Sequence, residues 1–375
     1  MSLGSFSKAT LQVGIFIVSS QVHAAFERDS YRDIRLLGRG NAAIADVTGG
    51  AAAFYNPAGL ADTSTFSFIP LDFTLGGNKN VVTSISSVTS LTSSDETLSQ
   101  KFSPLLGKPL ALQGTFFPHV AVPHFMIGFY DYADINIEYR DPVFPRLDLQ
   151  ARNDWGLILG GGLNITPQIQ VGASVRYMKR KGFDEVLNMA TVLNLTGAYL
   201  LEIMEEGEAF GFNLGTRYTQ RIGKSSWIAG GVVVEDYGGT KFRNADRGPL
   251  PETQAQKFNV GLGYGFLIPK GELKFLFDVK ELGDSEKSST KKIFMGTELN
   301  VPFVNLRLGL FQGYWTAGLT TSIIPFFDLD VATYGEELAS AAGLREARYW
   351  MIGFRTGLDM KKGTKKKQRY TLDGL

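Results

Sequence analysis

The sequence predicts an all-β protein, a transmembrane antiparallel up-and-down β-barrel of about fourteen strands. Three observations carry this prediction. Apolar and polar residues alternate with a period of two over most of the chain after residue 63. Short and long connections alternate between these segments. No apolar run after residue 25 reaches the length of about 18 residues that a membrane-spanning helix needs.

Residues 1–25 have the parts of a secretory signal peptide. Lys8 precedes an apolar stretch from Leu11 to Val18, and Val22-His23-Ala24 supplies the small residues that a signal peptidase requires. Cleavage is expected after Ala24 or Ala25. Small residues and then charges follow the apolar stretch, which favours a signal peptide over a buried N-terminal helix.

The composition limits the possible functions. The chain has 375 residues and no cysteine, which excludes a disulfide framework and thiolate metal sites. Lysine and arginine total 38 against 37 aspartate and glutamate residues, so loss of Lys8 with the signal peptide leaves the mature chain formally neutral. Neutrality argues against nucleic acid as a partner.

Residues 26–63 precede the first predicted strand and fit neither a helix nor a membrane strand. From Gly38 to Asp62 they are rich in glycine and alanine, and Pro57 can neither donate to a strand ladder nor continue a helix. Such a segment can fill a confined polar space as a plug, or form an ordinary surface loop. Composition alone leaves both interpretations open.

The alternating segments, which span residues 64–360, have one apolar and one polar face. The fifth, eighth and ninth segments show this most clearly. Their apolar faces contain Ile169, Val171, Ala173, Val175 and Tyr177; Phe258, Val260, Leu262, Tyr264 and Phe266; and Leu273, Phe275, Phe277 and Val279. A transmembrane barrel requires this arrangement because lipid and lumen are different solvents.

The connections distinguish a barrel from a soluble β-sandwich, which would also alternate. Junctions after even-numbered segments are tight, the first from Pro118 to Val122, whereas most others are long, including residues 140–153 and 184–208. The junction near Gly313-Tyr314 is a short exception. This pattern is typical of a barrel with short periplasmic turns and long extracellular loops. An even strand number then places both ends of the barrel in the periplasm.

The tail, residues 361–375, contains KKGTKKKQR and follows the last predicted strand. It is predicted to be a solvated, disordered periplasmic end.

Catalysis has little support in the sequence. The histidines are His23, His119 and His124, and the last two are predicted to lie in a tight turn between Pro118 and Pro123. No cysteine or acidic cluster accompanies them, so a structural role is favoured over a metal site. The motifs of hydrolases, metalloproteases and phosphate-binding loops do not occur. The chain is predicted not to be an enzyme, and no cofactor is expected.

The third segment places a carboxylate on its apolar face. Phe129 and Asp131 share that face, while Tyr130 and Tyr132 face the other way. A carboxylate at the bilayer midplane is costly. Either the strand is bulged or kinked over these four residues, or Asp131 lies above the hydrocarbon, at the outer interface.

The long loop after the fifth segment has apolar residues at near-helical spacing, among them Leu193, Tyr199, Leu200 and Ile203. An amphipathic helix at the barrel mouth can offer an apolar groove to a hydrophobic ligand, or it can pack the loop onto the barrel rim.

The predicted lumen face carries the bases Arg176, Arg180, Lys274 and Lys280. They can meet the carboxylate head group of a ligand, or they can interact with a protein plug.

The stretch AxxDVTGGAAAFYNPAGLA resembles the N-terminal hatch signature of the FadL-type outer-membrane transporter family. The match centres on Asn56, Pro57, Ala58 and Gly59, whereas the rest of the chain resembles the family mainly in layout. The resemblance implies a hatch inside the lumen, helical extracellular loops and an inward kink in the third strand that opens the wall sideways. The Asn-Pro-Ala core is then expected to pack near that kink.

The function implied by this resemblance is passive uptake of hydrophobic compounds such as long-chain fatty acids. The ligand is captured at the outer loops and released past the hatch, so the partners are a hydrophobic small molecule and outer-membrane lipid. Two alternatives are a non-transporting barrel of the same fold that binds or shuttles envelope or secreted proteins, and a soluble secreted β protein. The chain departs from the family in one respect, because its last predicted strand does not end on a terminal aromatic residue.

Overall fold

The computed structural model describes residues 30–83, 106–140, 146–188, 191, 202–243, 248–285, 287–338, 343 and 346–359. The predicted signal peptide and basic tail lie outside the described residues. Leu193, Tyr199 and Leu200 of the predicted loop helix also lie outside them, whereas Ile203 is described and lies just before a strand.

The described part of the chain consists mainly of β-strands. They are β1 (Ser67–Asn78), β2 (Leu110–Phe116), β3 (His119–Val122), β4 (Phe125–Arg140), β5 (Arg146–Asn164), β6 (Ile169–Asn188), β7 (Glu205–Ile222), β8 (Ser226–Glu235), β9 (Lys257–Ile268), β10 (Gly271–Leu282), β11 (Ile293–Val301), β12 (Val304–Phe311), β13 (Tyr314–Thr321), β14 (Phe327–Glu337) and β15 (Glu346–Asp359). Short helices are α1 (Ile34–Gly38), α2 (Ala52–Tyr55) and α3 (Lys79–Thr83), with 3-10 helices at Pro57–Asp62 and Ser289–Lys292. Within the described ranges, no helix is long and apolar enough to cross a membrane.

The strands form one closed antiparallel barrel. From β4 onward each strand pairs with the next in the sequence, and β15 pairs with β1 to close the ring. β2 and β3 lie end to end between β1 and β4, so the fifteen strands occupy fourteen positions. The predicted fold class and strand number are confirmed.

Apolar side chains cover the outside of the barrel. In β9, Phe258, Leu262 and Tyr264 are 41–63 % exposed, whereas Asn259 between them is 3 % exposed and faces the lumen. β10 alternates in the same way. A surface this apolar is unfavourable in water but suits the hydrocarbon of a bilayer, where ring closure leaves no open strand edge.

The two ends of the barrel differ in their connections. At the end where β1 begins and β15 stops, which we call the terminal end, the turns are short, for example residues 223–225 and 269–270. The opposite end, which we call the loop end, has most of the long connections, including residues 236–256. The short β12–β13 turn also lies at the loop end.

The first predicted turn is wrong. Residues from Pro118 to Val122 lead into and form β3, and the turn itself is made by residues 123–124. His119 is therefore a buried strand residue rather than a turn residue.

Two predicted loops are shorter than expected. β5 begins at Arg146, β6 extends to Asn188 and β7 begins at Glu205. β6 and β7 continue with Glu185, Glu206 and Glu208 on their outer faces, where the apolar signal is lost. In β5 the outer face keeps Leu147, Leu149 and Ala151, so its alternation begins earlier than predicted.

Residues 30–63, which we call the lumen segment, run through the inside of the barrel. Near the loop end, Ser30 Oγ donates to Gln254 Oε1 at 3.4 Å. At the terminal end, the His124 amide donates to Thr63 O at 2.9 Å. Between these points most of the segment is buried and contacts strands on opposite sides of the ring.

Candidate functional site

Inward-facing glycines make room for the lumen segment. A methyl group on Gly172 would lie 2.3 Å from the carbonyl carbon of Pro57, and one on Gly231 would lie 2.5 Å from Ile44 O. Backbone atoms cannot be that close to a Cβ, so only glycine permits this approach. The same close approach of backbone atoms occurs at Gly296 and Gly309, and at Gly261 the close atom of the lumen segment is Ile44 Cβ, at 2.7 Å.

Asn56 holds the turn that carries the Asn-Pro-Ala core. Its Nδ2 donates to Ile44 O (2.7 Å) and to Thr216 O of β7 (3.2 Å). Its Oδ1 accepts from Ala58 N (3.1 Å), which caps the 3-10 helix that begins at Pro57. Pro suits this first position because its missing N–H would be unpaired there anyway.

The Asn-Pro-Ala core lies against β5, β6, β7 and β8, near Gly162, Gly172 and Gly215 rather than beside the candidate kink in β4. A Cβ on Gly172 of β6 would lie 2.3 Å from the carbonyl carbon of Pro57, and one on Gly215 of β7 would lie 2.1 Å from Asn56 Oδ1. Gly59 packs equally closely within the lumen segment, since a Cβ there would lie 2.1 Å from Val47 O. The part of the lumen segment that reaches β4 is instead Phe54, whose ring centroid lies 5.3 Å from that of Tyr130.

Buried ion pairs bind the lumen segment to the wall. Arg32 donates two hydrogen bonds of 2.9 Å to the Glu336 carboxylate of β14, and both side chains are 1 % exposed. Removing one member of such a pair costs about 3–5 kcal/mol because a buried charge is left uncompensated. Further pairs are Arg39 with Glu298 (2.8 Å), Asp46 with Lys274 (2.8 Å) and Asp62 with Arg217 (2.6 Å).

Two carboxylates accept hydrogen bonds from the backbone of the lumen segment. Asp278 Oδ2 of β10 accepts from Ala43 N (2.6 Å) and Ile44 N (3.0 Å). Asp33 caps α1 by accepting from the Arg35 amide (2.8 Å). Burial by itself raises the pKa of Asp33, but the Arg35 guanidinium and amide outweigh it and hold that pKa below its ordinary value.

Three of the four bases that the sequence analysis assigned to the lumen face are neutralised by the protein. Their partners are Asp236 for Arg176 (2.5 Å), Asp154 for Arg180 (2.6 Å) and Asp46 for Lys274 (2.8 Å). Such a base can receive a ligand carboxylate only by giving up its partner.

Lys280 has a different environment. Its Nζ lies 5.2 Å from the ring centroid of Tyr55 in the lumen segment and 4.8 Å from that of Phe294 in β11. The side chain is 8 % exposed. Among the residues that the structure describes, no carboxylate oxygen lies within 4.0 Å of Nζ. Lys280 is thus a buried cation between two aromatic faces.

Lys280 borders a small cavity between the lumen segment and the wall. The cavity has a volume of about 30 Å³, roughly that of one water molecule. Its lining includes the bases Arg176 and Lys257 and the carboxylates Glu235 and Glu281, together with Tyr31 and Asn41. Within the described part of the chain, Asn41 Oδ1 and Arg176 Nε are buried without a hydrogen-bond partner. The cavity is polar and far too small for an acyl chain.

A larger pocket of about 220 Å³ lies nearer the loop end. Its lining includes Asp134, Arg152, Asp184, Glu205 and Glu252. This pocket is strongly charged and does not resemble an apolar binding site.

The four candidate kink residues lie in the middle of β4. β4 keeps a single register with β5 from Phe125 to Arg140, so no residue is inserted at Phe129, Tyr130, Asp131 or Tyr132. Tyr130 and Tyr132 are fully buried and face the lumen.

Asp131 lies on the outer face, where Asn153 Nδ2 donates to its Oδ1 at 2.5 Å. Trp155 is its partner in β5, and Lys179 is the next residue across the sheet. Lys179 Nζ lies 5.6 Å from the centroid of the Trp155 ring. Aromatic rings next to charges mark the interface of a membrane barrel. The geometry therefore favours the second explanation for Asp131, a place at the outer interface.

The irregular part of the wall lies one strand away, between β1 and the interrupted strand β2/β3. Between Ile69 and Phe73, three residues of β1 face only two residues, Phe117 and Pro118. The extra residue in β1 also shifts its register against β15. Both strands have a proline at this break, Pro70 and Pro118, and neither can donate a backbone hydrogen bond.

An aromatic cluster packs directly behind the break. Phe117 is 1 % exposed, and its ring centroid lies 5.2 Å from that of Tyr31 and 5.3 Å from that of Phe54. Tyr31 and Phe54 stack at 4.1 Å, and His119 stacks on Phe117 at 4.5 Å. The lumen segment therefore covers the irregular part of the wall from inside.

Sequence reasoning missed the residues at the break. Pro70 falls inside the first alternating segment, where a proline indicates a bulge or an interruption, and Pro118 is assigned to the first tight turn. That signal was present, but the apolar pattern on either side concealed it.

Comparisons with known proteins give a likeness in overall layout. No protein-family profile and no curated protein sequence matches the chain. Three solved barrels are similar to it. They are the Ralstonia pickettii toluene transporter TbuX (TM-score 0.48, 11 % identity, 88 % of this chain and 100 % of that chain), the Pseudomonas putida toluene transporter TodX (0.46, 11 %, 90 % and 99 %) and a Pseudomonas aeruginosa FadL homologue (0.47, 12 %, 87 % and 96 %).

Proposed function

We propose that this protein is an outer-membrane channel for passive uptake of hydrophobic compounds, with the lumen segment as its hatch. The observation that carries the proposal is the contact between hatch and wall break, where the Phe117 ring packs against Tyr31 and Phe54. A movement of the hatch at this point uncovers the break from inside. The resemblance of the Asn-Pro-Ala motif to a FadL-type hatch supports the same function.

The described conformation is a closed state of such a channel. A cavity of about 30 Å³ beside the hatch has room for about one water molecule, whereas pockets for drug-sized ligands have about 300–1,000 Å³. Uptake therefore requires the hatch to move.

The route runs from the loop end to the membrane. A poorly soluble ligand gains about 25 cal/mol for each Å² of apolar surface that it buries at the mouth. It then enters the space vacated by the aromatic cluster and leaves sideways, between β1 and β2/β3, into the bilayer. No energy-coupling motif is recognisable in the sequence, so the ligand moves down its concentration gradient.

A carboxylated ligand, such as a long-chain fatty acid, places its head group at Lys280. This base is buried between Tyr55 and Phe294, and no described carboxylate is paired with it. The hatch residue Tyr55 forms one side of this site, so ligand binding and hatch position are coupled.

A second function is favoured by the buried ion pairs. Arg32, Arg39, Asp46 and Asp62 tie the lumen segment to four different strands. Such a segment suits a barrel that stays closed and acts as a binding or shuttle partner for envelope or secreted proteins.

A reversible cross-link distinguishes these functions. The chain has no cysteine, and a Cβ placed on Gly263 would lie 3.5 Å from the Cβ of Ala45, within the range of about 3.5–4.5 Å for a disulfide. An Ala45→Cys/Gly263→Cys variant, expressed in cells that lack their own fatty-acid transporter, locks the hatch to β9 on oxidation. Uptake of radiolabelled oleate and toluene is then measured before and after reduction.

We expect uptake to be lost in the oxidised variant and restored by reductant, while each single-cysteine variant behaves like the parent. Equal uptake in both redox states would show that the hatch does not move. If the parent protein itself transports neither compound, the shuttle function is the better account.

A further inference from the structure

Two turns at the terminal end expose large apolar side chains. Phe303, in the β11–β12 turn, is 67 % exposed, and Ile323, Ile324 and Phe326, in the β13–β14 turn, are 72 %, 61 % and 55 % exposed. The Ser322 amide donates to Phe303 O at 2.9 Å, which joins the turns into one surface. We call these four side chains the apolar rim.

Two residues of the apolar rim have an unfavourable backbone conformation. Phe303 has a φ of 68° and Phe326 a φ of 64°, in the left-handed region that bulky L-residues avoid. In the β7–β8 turn, the position with a φ of 63° is Gly223, which adopts it without steric cost. In water the two exposed aromatic rings gain nothing that offsets this cost, whereas burial against an apolar surrounding outside the chain would offset it.

The wall above the apolar rim is short. β12 and β13 have 8 residues each, whereas β5, β6 and β7 have 19, 20 and 18. With a rise of about 3.4 Å per residue and a tilt of about 40°, eight residues reach a height of about 21 Å. The apolar band of an outer-membrane barrel is about 25 Å tall. Strands alone therefore leave this side too short.

The part of the apolar band that β12 and β13 do not span lies at the terminal end. At the loop end, Trp315 near the start of β13 is 54 % exposed, and the Arg348 guanidinium lies 4.0 Å from the centroid of its ring. A tryptophan stacked with a base is typical of the membrane interface. Below it, the exposed Leu308 and Leu306 of β12 lead without a polar gap to Phe303. The apolar rim thus continues the lipid-facing surface.

We propose that the apolar rim is inserted among the acyl chains of the leaflet at the terminal end, where it completes the hydrophobic belt on the short side of the barrel. On the other side the β7–β8 and β9–β10 turns carry the exposed lysines Lys224 and Lys270. The β5–β6 turn has one exposed apolar residue, Ile165, but β5 and β6 have 19 and 20 residues and span the apolar band without it. The partner is phospholipid acyl chain, and the binding of a water-borne protein to this rim is the competing outcome. The proposal depends on the transmembrane fold and not on uptake.

Site-directed spin labelling tests the proposal in the cysteine-free chain. Phe303→Cys and Ile324→Cys are labelled and reconstituted in vesicles of phosphatidylethanolamine and phosphatidylglycerol. Collisions of the label with oxygen and with a water-soluble nickel complex are then measured. Leu308→Cys is the reference for hydrocarbon, and Lys224→Cys is the reference for water. Heat-modifiable migration in electrophoresis confirms that every variant is folded.

We expect both rim labels to lose nickel access as completely as Leu308→Cys and to collide with oxygen to the same extent. Nickel access at both rim positions equal to that at Lys224→Cys would overturn the proposal. The rim would then lie in water, as a docking surface for a protein requires.

Discussion

Lys280 is the inward-facing base whose charge is best placed for a ligand. Arg176, Arg180 and Lys274 already hold carboxylates, whereas Lys280 is held by two aromatic rings. Among the described residues no carboxylate oxygen lies within 4.0 Å of Lys280 Nζ, although Glu235 and Glu281 line the same cavity. The ammonium can therefore donate to a ligand, and a charge-assisted hydrogen bond contributes about 1.5–3 kcal/mol.

Replacing Lys280 with Met should lower uptake of oleate by about tenfold or more, because a head-group contact of about 1.5–3 kcal/mol is lost. Uptake of methyl oleate, which has no charge, should be unchanged, since the variant side chain keeps the length and packing of lysine. Initial rates of uptake of the two radiolabelled compounds check this.

Lys270→Met is the matched control, because Lys270 is an exposed residue of a terminal-end turn. It should leave both rates at the parent level. An equal fall for oleate and its methyl ester in Lys280→Met would mean that the lysine supports the fold of the lumen rather than a head group.

At the scale of a single strand, the extra residue in β1 produces the irregular part of the wall. Phe68 and Phe73 face outward and Ile69 faces inward, so removal of one residue between Ile69 and Leu71 would leave a strand that alternates without interruption. Removing the extra residue would therefore leave every other side chain of β1 on its present face.

Deletion of Pro70 should give a regular β1 and a tighter seam, because the missing backbone donor and the unpaired residue disappear together. The barrel should still show heat-modifiable migration, and uptake of hydrophobic compounds should fall if they leave through this break. Both are measured on the same membranes.

Pro70→Ala is the control for this deletion, since it keeps the extra residue and should retain uptake. Uptake by the deletion variant at the parent rate would place the exit elsewhere in the wall.

At the scale of the whole molecule, the two ends of the barrel differ in their connections. Long connections lie at the loop end, and both ends of the barrel wall lie at the terminal end. In a barrel exported through a signal peptide, the chain ends stay on the periplasmic side. The proposed orientation places the loop end outside the cell.

Labelling of single cysteines tests this orientation. Tyr237, 58 % exposed in the β8–β9 connection, represents the loop end, and Lys224 represents the terminal end. In intact cells a membrane-impermeant maleimide should label Tyr237→Cys but not Lys224→Cys, and both should react after permeabilisation. The reverse pattern would show the opposite orientation.

Strand positions could be predicted well because they depend on local alternation. The outward faces of β6, β9 and β10 are those that the sequence indicates, with Arg176 and Lys280 inside. The extent of the long strands and the place of the break could not be predicted as well. The ends of β6 and β7 have glutamates on the outer face and so lack the apolar signal, whereas Leu147 and Leu149 of β5 continue the alternation and were missed. Pro118 was interpreted as part of a turn although it interrupts a strand.

The environment of the candidate site could be predicted only in part. The sequence placed Asp131 on the outer face, but its two explanations could be separated only by its neighbours Asn153 and Trp155. The position of the Asn-Pro-Ala core against β5, β6, β7 and β8 has no local signal, since it depends on which inward-facing glycines meet it.

The sequence by itself determined which side chains face lipid and which face the lumen, because a strand turns successive residues to opposite sides. Only the tertiary structure decided which lumen charges are paired, which base stays available and where the wall is interrupted. Ring closure brings together residues as distant in the chain as Arg32 and Glu336. Such a pairing depends on closure of the whole barrel, so the residues next to Arg32 or Glu336 in the sequence do not indicate it.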